Sequence, residues 1–431
     1  MVTYGGDEVS ALVLDVGSSS TRVGFAGEDT PKAVFPTVVG SIAGEAGAAD
    51  AQGDTIMGGG DRAPATKKSK RFLGETEVYC WRENMDIRKP VSQGLVQNWD
   101  EYEAVWDYVY SRRMRINPAE HPLLLSEPAW NPREDREKLM ELAFETFKVP
   151  AFYLAKSPVL TAFSSGRATT LIIDSGATAT SVVPVFEGYV LKRGIQYQAL
   201  AGDAVSSEIA HYLSSSGIDV VPQYKVLSKS PSDAGVPASF VERNRPNSTE
   251  SFHALSVERV INDFKETVCH VSESARWDDR VMSLQPKKSY EFPNGYNNYF
   301  GLERFKAPEI LFNPKASQSG KVDAGLLGIQ QLVDLSIQAC DADLRPTLYS
   351  NAVSTGGTSS LPGFNERLSA ELSVNANMMR VKLHSPGNMI ERKFSAWVGG
   401  SILASLGSFH QMWVSKKEYE EMGPSVEQRL N

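Results

Sequence analysis

The sequence predicts an α/β fold assembled from two related lobes, and three observations carry that prediction. An apolar strand runs into Asp-x-Gly and out into a second strand twice. Leu12-Val13-Leu14-Asp15-Val16-Gly17-Ser18-Ser19-Ser20 continues to Arg22-Val23-Gly24-Phe25, and Leu171-Ile172-Ile173-Asp174-Ser175-Gly176-Ala177-Thr178 continues to Val182-Val183-Pro184-Val185-Phe186. The two copies stand about 160 residues apart with the aspartate in the same place, as a duplicated unit requires. Strands alternate with amphipathic helices along the rest of the chain.

Each copy reads as a β-hairpin whose turn carries Gly and small hydroxyl residues. Such a turn lets backbone N–H groups and hydroxyls point together at a phosphate without side-chain clash. One Gly/Ser turn is common in any sheet protein. Two with matching aspartates predict one polyphosphate gripped from both sides. Val353-Ser354-Thr355-Gly356-Gly357-Thr358 adds a strand followed by a Gly-Gly-Thr turn. There Gly356 and Gly357 let the backbone lie flat against a nucleoside, with Leu361 as an apolar wall. Alone this loop reads equally well as a strand-to-helix turn; beside the hairpins it completes a nucleotide site.

The helices follow in order. Asn98 caps one, with Asp100 and Glu101 in its first turn and Tyr102, Val105, Trp106 and Val109 on a core face. Asn131-Pro132 starts another, with apolar face Leu139, Leu142, Ala143 and Phe147. A third follows Lys393 through Trp397, Val398, Ile402, Leu403 and Leu406, with Gly399-Gly400 permitting close backbone approach. Between them, 41–70 is a Gly-, Ala- and Asp-rich stretch read as a mobile loop. It ends in Lys67-Lys68-Ser69-Lys70-Arg71, a nuclear localisation signal or a solvated basic run. Segments 214–255 and 313–325 read as further loops.

Composition narrows the function classes. Lys and Arg total 44 against 52 Asp and Glu, a net charge of −8, which argues against a whole-surface nucleic-acid binder. Three cysteines without CxxC spacing predict a reduced compartment and no zinc site. The first residues carry no signal-peptide pattern, and no apolar run approaches the ~20 residues of a membrane span. The Asn247-Ser248-Thr249 sequon reads as chance.

Longer motifs carry a family resemblance. Val23-Gly24-Phe25-Ala26-Gly27-Glu28-Asp29, Phe35-Pro36-Thr37-Val38-Val39-Gly40, Phe144-Glu145-Thr146-Phe147, the run from Glu391 to Leu406 and Gln411-Met412-Trp413-Val414 resemble actin. Tyr4-Gly5-Gly6-Asp7-Glu8-Val9 and Glu83-Asn84-Met85-Asp86-Ile87-Arg88-Lys89-Pro90 depart from actin. They resemble the nuclear actin-related protein 4 class of chromatin-remodelling and histone acetyltransferase assemblies. The resemblance implies an actin-like ATPase fold, with duplicated lobes of four subdomains around a nucleotide cleft. Subdomain 1 would be 1–36, 90–164 and 395–431; subdomain 2, 37–89; subdomain 3, 165–200 and 324–394; subdomain 4, 201–323 with an insertion near 214–255.

The same resemblance implies bound ATP or ADP with Mg²⁺ or Ca²⁺. Ser18, Ser19, Ser20 and Arg22, with Gly17, would hold the phosphates from one hairpin, and Ser175, Gly176, Ala177 and Thr178 from the other. Arg22 replaces actin's lysine. Asp15 and Asp174 would orient the cation's waters, with Glu141 beside them. Lys265 and Glu266 would contact ribose and base, with Gly202, Asp203, Gly356, Gly357, Thr358, Leu361 and Lys393 completing the pocket. Without the family, Lys265 and Glu266 read as an exposed helix pair.

Departures bear on activity. Glu141 and Ser181 are expected where actin has a water-positioning glutamine and histidine, and Ala177 replaces a second aspartate. Ser181 is too short and too weakly basic to replace an imidazole, so binding with little or no turnover is expected and no residue is assigned as catalytic. The polar loop 315–322 and the 41–70 stretch argue against filaments. Phe163, Ser164, Gly166, Gly188, Tyr189, Leu403, Leu406, Ser408 and Met412 match a partner groove, with core packing the alternative for Leu403 and Leu406. Expected partners are monomeric actin, a helicase-SANT-associated helix of a remodeller ATPase, other remodeller and acetyltransferase subunits, and nucleosome or linker DNA, in the nucleus. The alternatives are a polymerising cytoskeletal-type ATPase and, more distantly, a sugar or acetate kinase.

Overall fold

The computed structural model describes residues 10–43, 69–323, 325–376 and 379–430. The opening motif 4–9, most of the 41–70 stretch, Lys67 and Lys68 lie outside the described residues. Two six-stranded sheets organise the chain. In the first, Leu12–Val16 pairs antiparallel with Ser20–Phe25, which pairs with Ala33–Pro36. On its other side Leu12–Val16 runs parallel to Leu123–Glu127, itself parallel to Ala151–Lys156, with Val414–Ser415 at the edge.

The second sheet repeats this plan. Thr170–Ser175 pairs antiparallel with Thr180–Phe186 and parallel with Ala352–Thr355, which runs parallel to Leu383–His384. The register repeats too: Asp15 faces Arg22 across the first hairpin and Asp174 faces Ser181 across the second. Both hairpins and the duplication are therefore as expected. Leu12, Val13 and Leu14, like Leu171, Ile172 and Ile173, are buried, the pattern of a strand covered on both faces.

The lobes join through the helices Ser157–Ser164 and Met389–Ser405, which cross at backbone contact. A Cβ on Gly399 would stand 1.7 Å from the Leu160 carbonyl oxygen, so only glycine permits this crossing. Trp397 is fully buried there and its Nε1 donates to the Val13 carbonyl at 3.0 Å. The crossing helix begins at Met389, a turn ahead of Lys393, because Asn388 caps it by accepting from the Ile390 N–H. It ends at Ser405, so Leu406 lies beyond it.

The other helices form much as expected. Asn98 Oδ1 accepts from the Glu101 N–H at 3.0 Å to start Trp99–Tyr108, whose Tyr102, Val105 and Trp106 are buried. Pro132 is the cap of Arg133–Glu141, while the Asn131 amide donates to Glu127 instead of capping. The loop expected over 214–255 is more ordered than its composition indicates. It holds a hairpin, Val226–Lys229 with Phe240–Glu242, and the start of Glu250–Val268, which Thr249 caps. The flanks of the 41–70 stretch belong to a three-stranded sheet of Val39–Ile42, Lys70–Phe72 and Asp86–Arg88. The described residues of segment 313–325 form a loop apart from one turn at Pro314–Ala316. Ser317, the Gln318 N–H and Ser319 all donate to the Glu208 carboxylate and pin it. No helix among the described residues is long and apolar enough to cross a membrane.

Candidate functional site

Between the sheets lies a cavity of about 660 Å³ whose floor is made by the two hairpin turns. The turns touch. Thr178 Oγ1 donates to Ser18 Oγ at 3.0 Å, and the Gln93 N–H donates to Thr178 Oγ1 at 2.9 Å. Gly17, Ser18, Ser19, Ser20 and Arg22 line one side of the floor, and Gly176, Ala177 and Thr178 the other. Ser175 does not face the cavity: its hydroxyl is buried against Thr180 Oγ1 at 3.0 Å, so only its backbone belongs to the turn.

The charges at the floor are unequally committed. Asp15 is paired, taking Arg22 Nη1 at 2.7 Å and the Ser126 hydroxyl at 2.5 Å. Arg22 also donates to Ser20 Oγ at 3.1 Å, so it serves the turn as well as facing the cavity. Among the described residues Asp174 has no hydrogen-bonding side-chain partner. Burial, and then the charge of Asp15, push its carboxyl up to about 6, against the pull of Arg22. A carboxylate held at such a cost beside two donor-rich turns is suited to a cation.

The Gly-Gly-Thr turn closes the wall above. Gly356 has φ of 90°, and a Cβ there would stand 2.3 Å from Asp174 Oδ1, so the turn lies against the floor as only glycine allows. Gly357 faces open space, Thr358 Oγ1 donates to the Gly176 carbonyl at 2.6 Å, and Leu361 lines the cavity from the second-lobe core. Lys265 donates to the Gly202 carbonyl at 2.9 Å, Ser206 Oγ at 2.8 Å and Asn262 Oδ1 at 2.9 Å. Burial lowers its pKa despite Asp203 and Glu266 nearby. Lys393 Nζ stands 3.5 Å from Glu266 Oε1, and Asp203, Glu266 and Lys393 all line the cavity. Lys265 is thus no exposed helix residue, whereas Glu266 is exposed.

Glu141 is the clearest correction. It is solvent-exposed at the end of Arg133–Glu141 and does not line the cavity. That helix turns Leu139 and Met140 inward, which sends Glu141 outward. Arg133–Glu141 reaches the cavity through Leu139 instead, and Ser157 and Thr161 of Ser157–Ser164 line it together with Ser181. No histidine is among the lining residues.

Several lining residues escaped the sequence reading. Leu255, Glu258 and Asn262 share one face of Glu250–Val268 with the expected Lys265 and line the cavity, joined by Tyr79, Lys89, Arg259 and Arg392. The 3–4 spacing on that helix was available as a signal. No group of three or more His, Cys, Asp or Glu residues is gathered among the described residues. Asp15 and Asp174 are thus the carboxylates at the floor that would face a cation, of the kind that keeps most of its waters.

Phe163 is 37%, Tyr189 72%, Leu406 41% and Met412 49% exposed, so all four large apolar side chains stand in solvent. Gly166 and Gly188 have positive φ and open space around them, and Ser408 is exposed. Of the two readings open for Leu403, the structure takes core packing: it is buried in the hinge cluster with Leu160 and Trp413.

Comparison with known proteins places this architecture. The actin family profile matches residues 6–430. Actin-related protein 4 of Oryza sativa subsp. indica is 43% identical, covering 99% of both chains. Actin-related protein 4 of Arabidopsis thaliana is 40% identical over 99% of both, and that of Schizosaccharomyces pombe 36% over 97% of this chain and 96% of its own. With the duplicated sheets, the paired turns and similarity along almost its whole length, the chain belongs to the actin family, as an actin-related protein of the actin-related protein 4 type.

Proposed function

We propose that this protein binds ATP or ADP with a divalent cation, turns it over slowly or not at all, and works as a non-filament-forming structural subunit of nuclear chromatin-remodelling and histone acetyltransferase complexes. The observation that carries the reading is the cleft itself. Two facing turns, an Asp174 raised by burial and Asp15, and the Gly356-Gly357 wall would form a phosphate and nucleoside cradle. Ser157, Thr161 and Ser181 line the cavity with hydroxyls that cannot act as an imidazole would at neutral pH, and no histidine lines it. When bound, the cation would neutralise charge between phosphates and carboxylates. Ser18 and Thr178 would donate to phosphate oxygens, Arg22 and Asp15 would hold the first turn in shape, and Lys265 would order the nucleoside wall.

The exposed apolar side chains of Phe163, Tyr189, Leu406 and Met412 suit an amphipathic helix, here the helicase-SANT-associated helix of a remodeller ATPase beside monomeric actin. The polar, exposed Lys315, Gln318 and Lys321 loop disfavours burial in a filament. Nucleosome or linker DNA contact is part of the same proposal. The test is purification of wild-type and Met412→Glu protein with their complexes from cells, with nucleotide extraction and single-turnover hydrolysis on each. The variant should lose remodeller subunits while keeping nucleotide, and hydrolysis should be far slower than actin's. Full recovery of the complex, an empty cleft in the wild type or actin-like turnover would each refute the corresponding part.

A further inference from the structure

A buried carboxylate holds one surface loop to the second lobe. Glu208 sits in the helix Gly202–Ser215 and is 6% exposed. It forms no ion pair among the described residues; residues 317–319 meet its charge with four donors instead. The Ser317 and Ser319 hydroxyls and the Ser319 N–H, at 3.2 Å, donate to Oε1, and the Gln318 N–H donates to Oε2 at 2.9 Å. Burial pushes the carboxyl's pKa up, but the bonds from Ser317, Ser319 and Gln318 outweigh it and leave it lowered, so Glu208 is ionised at neutral pH.

The rest of the loop is open to solvent. Lys315, Ala316, Gln318, Gly320 and Lys321 are exposed, Ser317 and Ser319 are half-buried, and 317–323 carries neither helix nor strand. Besides serving Glu208, Ser319 Oγ accepts from the Lys321 N–H at 3.3 Å and so shapes the loop. Ser317 has no such second duty: apart from the Ser319 hydroxyl at 3.4 Å, its hydroxyl serves Glu208 alone. The contact therefore depends on a proton that chemistry at Ser317 Oγ removes.

We propose that Ser317 is a phosphorylation site and that its phosphate releases loop 315–322 from Glu208. A Ser/Thr protein kinase with ATP supplies the group. The bond from Ser317 Oγ to the γ-phosphorus forms, the bond from that phosphorus to the β–γ bridging oxygen breaks, ADP leaves, and the hydroxyl proton passes to the kinase's base. Two effects then act in the same direction. The ester oxygen has no proton to donate, and a group of about −1.5 to −2 charge stands where a hydroxyl touched a buried carboxylate. Lys315 and Lys321, exposed and screened by water, do not offset a like-charge contact at that range. They flank the phosphate once the loop has lifted. The Ser317 hydroxyl is occupied while the loop is pinned, so the kinase acts on the lifted loop and the phosphate keeps it lifted. No residue of 315–322 lines the nucleotide cavity, and the proposal stands apart from the nucleotide reading.

The test uses the full chain with phosphoserine genetically encoded at position 317, beside the unmodified chain, Ser317→Ala, and Glu208→Gln with and without the phosphoserine. Amide hydrogen exchange at Gln318 and Ser319, whose N–H groups donate to Glu208, reports the loop. Both amides should be protected in the unmodified chain and exchange at least about tenfold faster with the phosphoserine, as loss of one hydrogen bond to a charged group already gives. Ser317→Ala, which loses the donor and adds no charge, should move them less. In Glu208→Gln the phosphoserine should have little effect, because the repelling carboxylate is gone. Mass spectrometry of the protein purified from its own cells should find phosphate on Ser317. Unprotected amides in the unmodified chain would overturn the pinned loop. Equal exchange with and without the phosphoserine, or an equally large effect of it in Glu208→Gln, would overturn the charge switch. Ser317 found only unmodified in both growing and arrested cells would overturn the site.

Discussion

Replacing Asp174 by Asn removes a charge that the fold holds at a cost. The carboxyl is raised from an ordinary 3.8 to about 6 by burial and then by Asp15, with Arg22 opposing. The folded protein therefore binds this proton more tightly than the unfolded chain does. Nucleotide-free stability from this group falls as pH rises from about 4 to about 6, and the full cost persists above that window. The gap between 3.8 and about 6 corresponds to roughly 3 kcal/mol, at 1.36 kcal/mol per pH unit. An asparagine of the same shape escapes that cost. Nucleotide-stripped Asp174→Asn should thus be more stable than wild type by up to ~3 kcal/mol near pH 8, and the advantage should vanish near pH 4. Urea unfolding of both proteins across that range measures it. With Mg²⁺-ATP added the order should reverse, because the variant has lost the carboxylate that attracts the cation. A variant no more stable than wild type near pH 8, or an advantage independent of pH, would refute the reasoning.

Four further substitutions probe the fold and the groove. Gly399→Ala places a Cβ 1.7 Å from the Leu160 carbonyl oxygen, so thermal unfolding should show a loss at or above the ~1–3 kcal/mol usual for overpacking. Asn98→Ala removes the acceptor of the Glu101 N–H and should cost about 1 kcal/mol in urea unfolding. Leu403→Ala, in the hinge core, should cost ~2–5 kcal/mol. Leu406→Ala, 41% exposed, should leave the melting temperature almost unchanged and weaken only complex recovery; equal destabilisation by the two would show that both are core.

The hairpins were legible because everything that specifies them is local. The apolar strands, the glycine and the small hydroxyl residues of each turn are neighbours in the chain, and the register of Asp15 with Arg22 follows from the turn. The Asn98 cap and the buried face after it were legible for the same reason. The family motifs carried the position of Lys265 and Lys393, and for Lys265 the helical spacing with Leu255, Glu258 and Asn262 was a local signal beside them. They misplaced Glu141, whose orientation depends on how Leu139 and Met140 settle into the first-lobe core.

What only the tertiary structure decided involves partners distant in sequence. Leu403 and Leu406 have the same chemistry within one turn. The first is buried because Leu160 and Trp413 come to it from elsewhere, and the second is exposed because the helix ends at Ser405. Segment 79–89 is polar and short of periodicity, and its order comes from residues such as Ser248 and Asn247, more than 150 positions on. Local sequence sets which backbone conformations are cheap. Burial and charge compensation, which decide whether Asp174 is strained or Asp15 is content, require the far half of the chain to arrive.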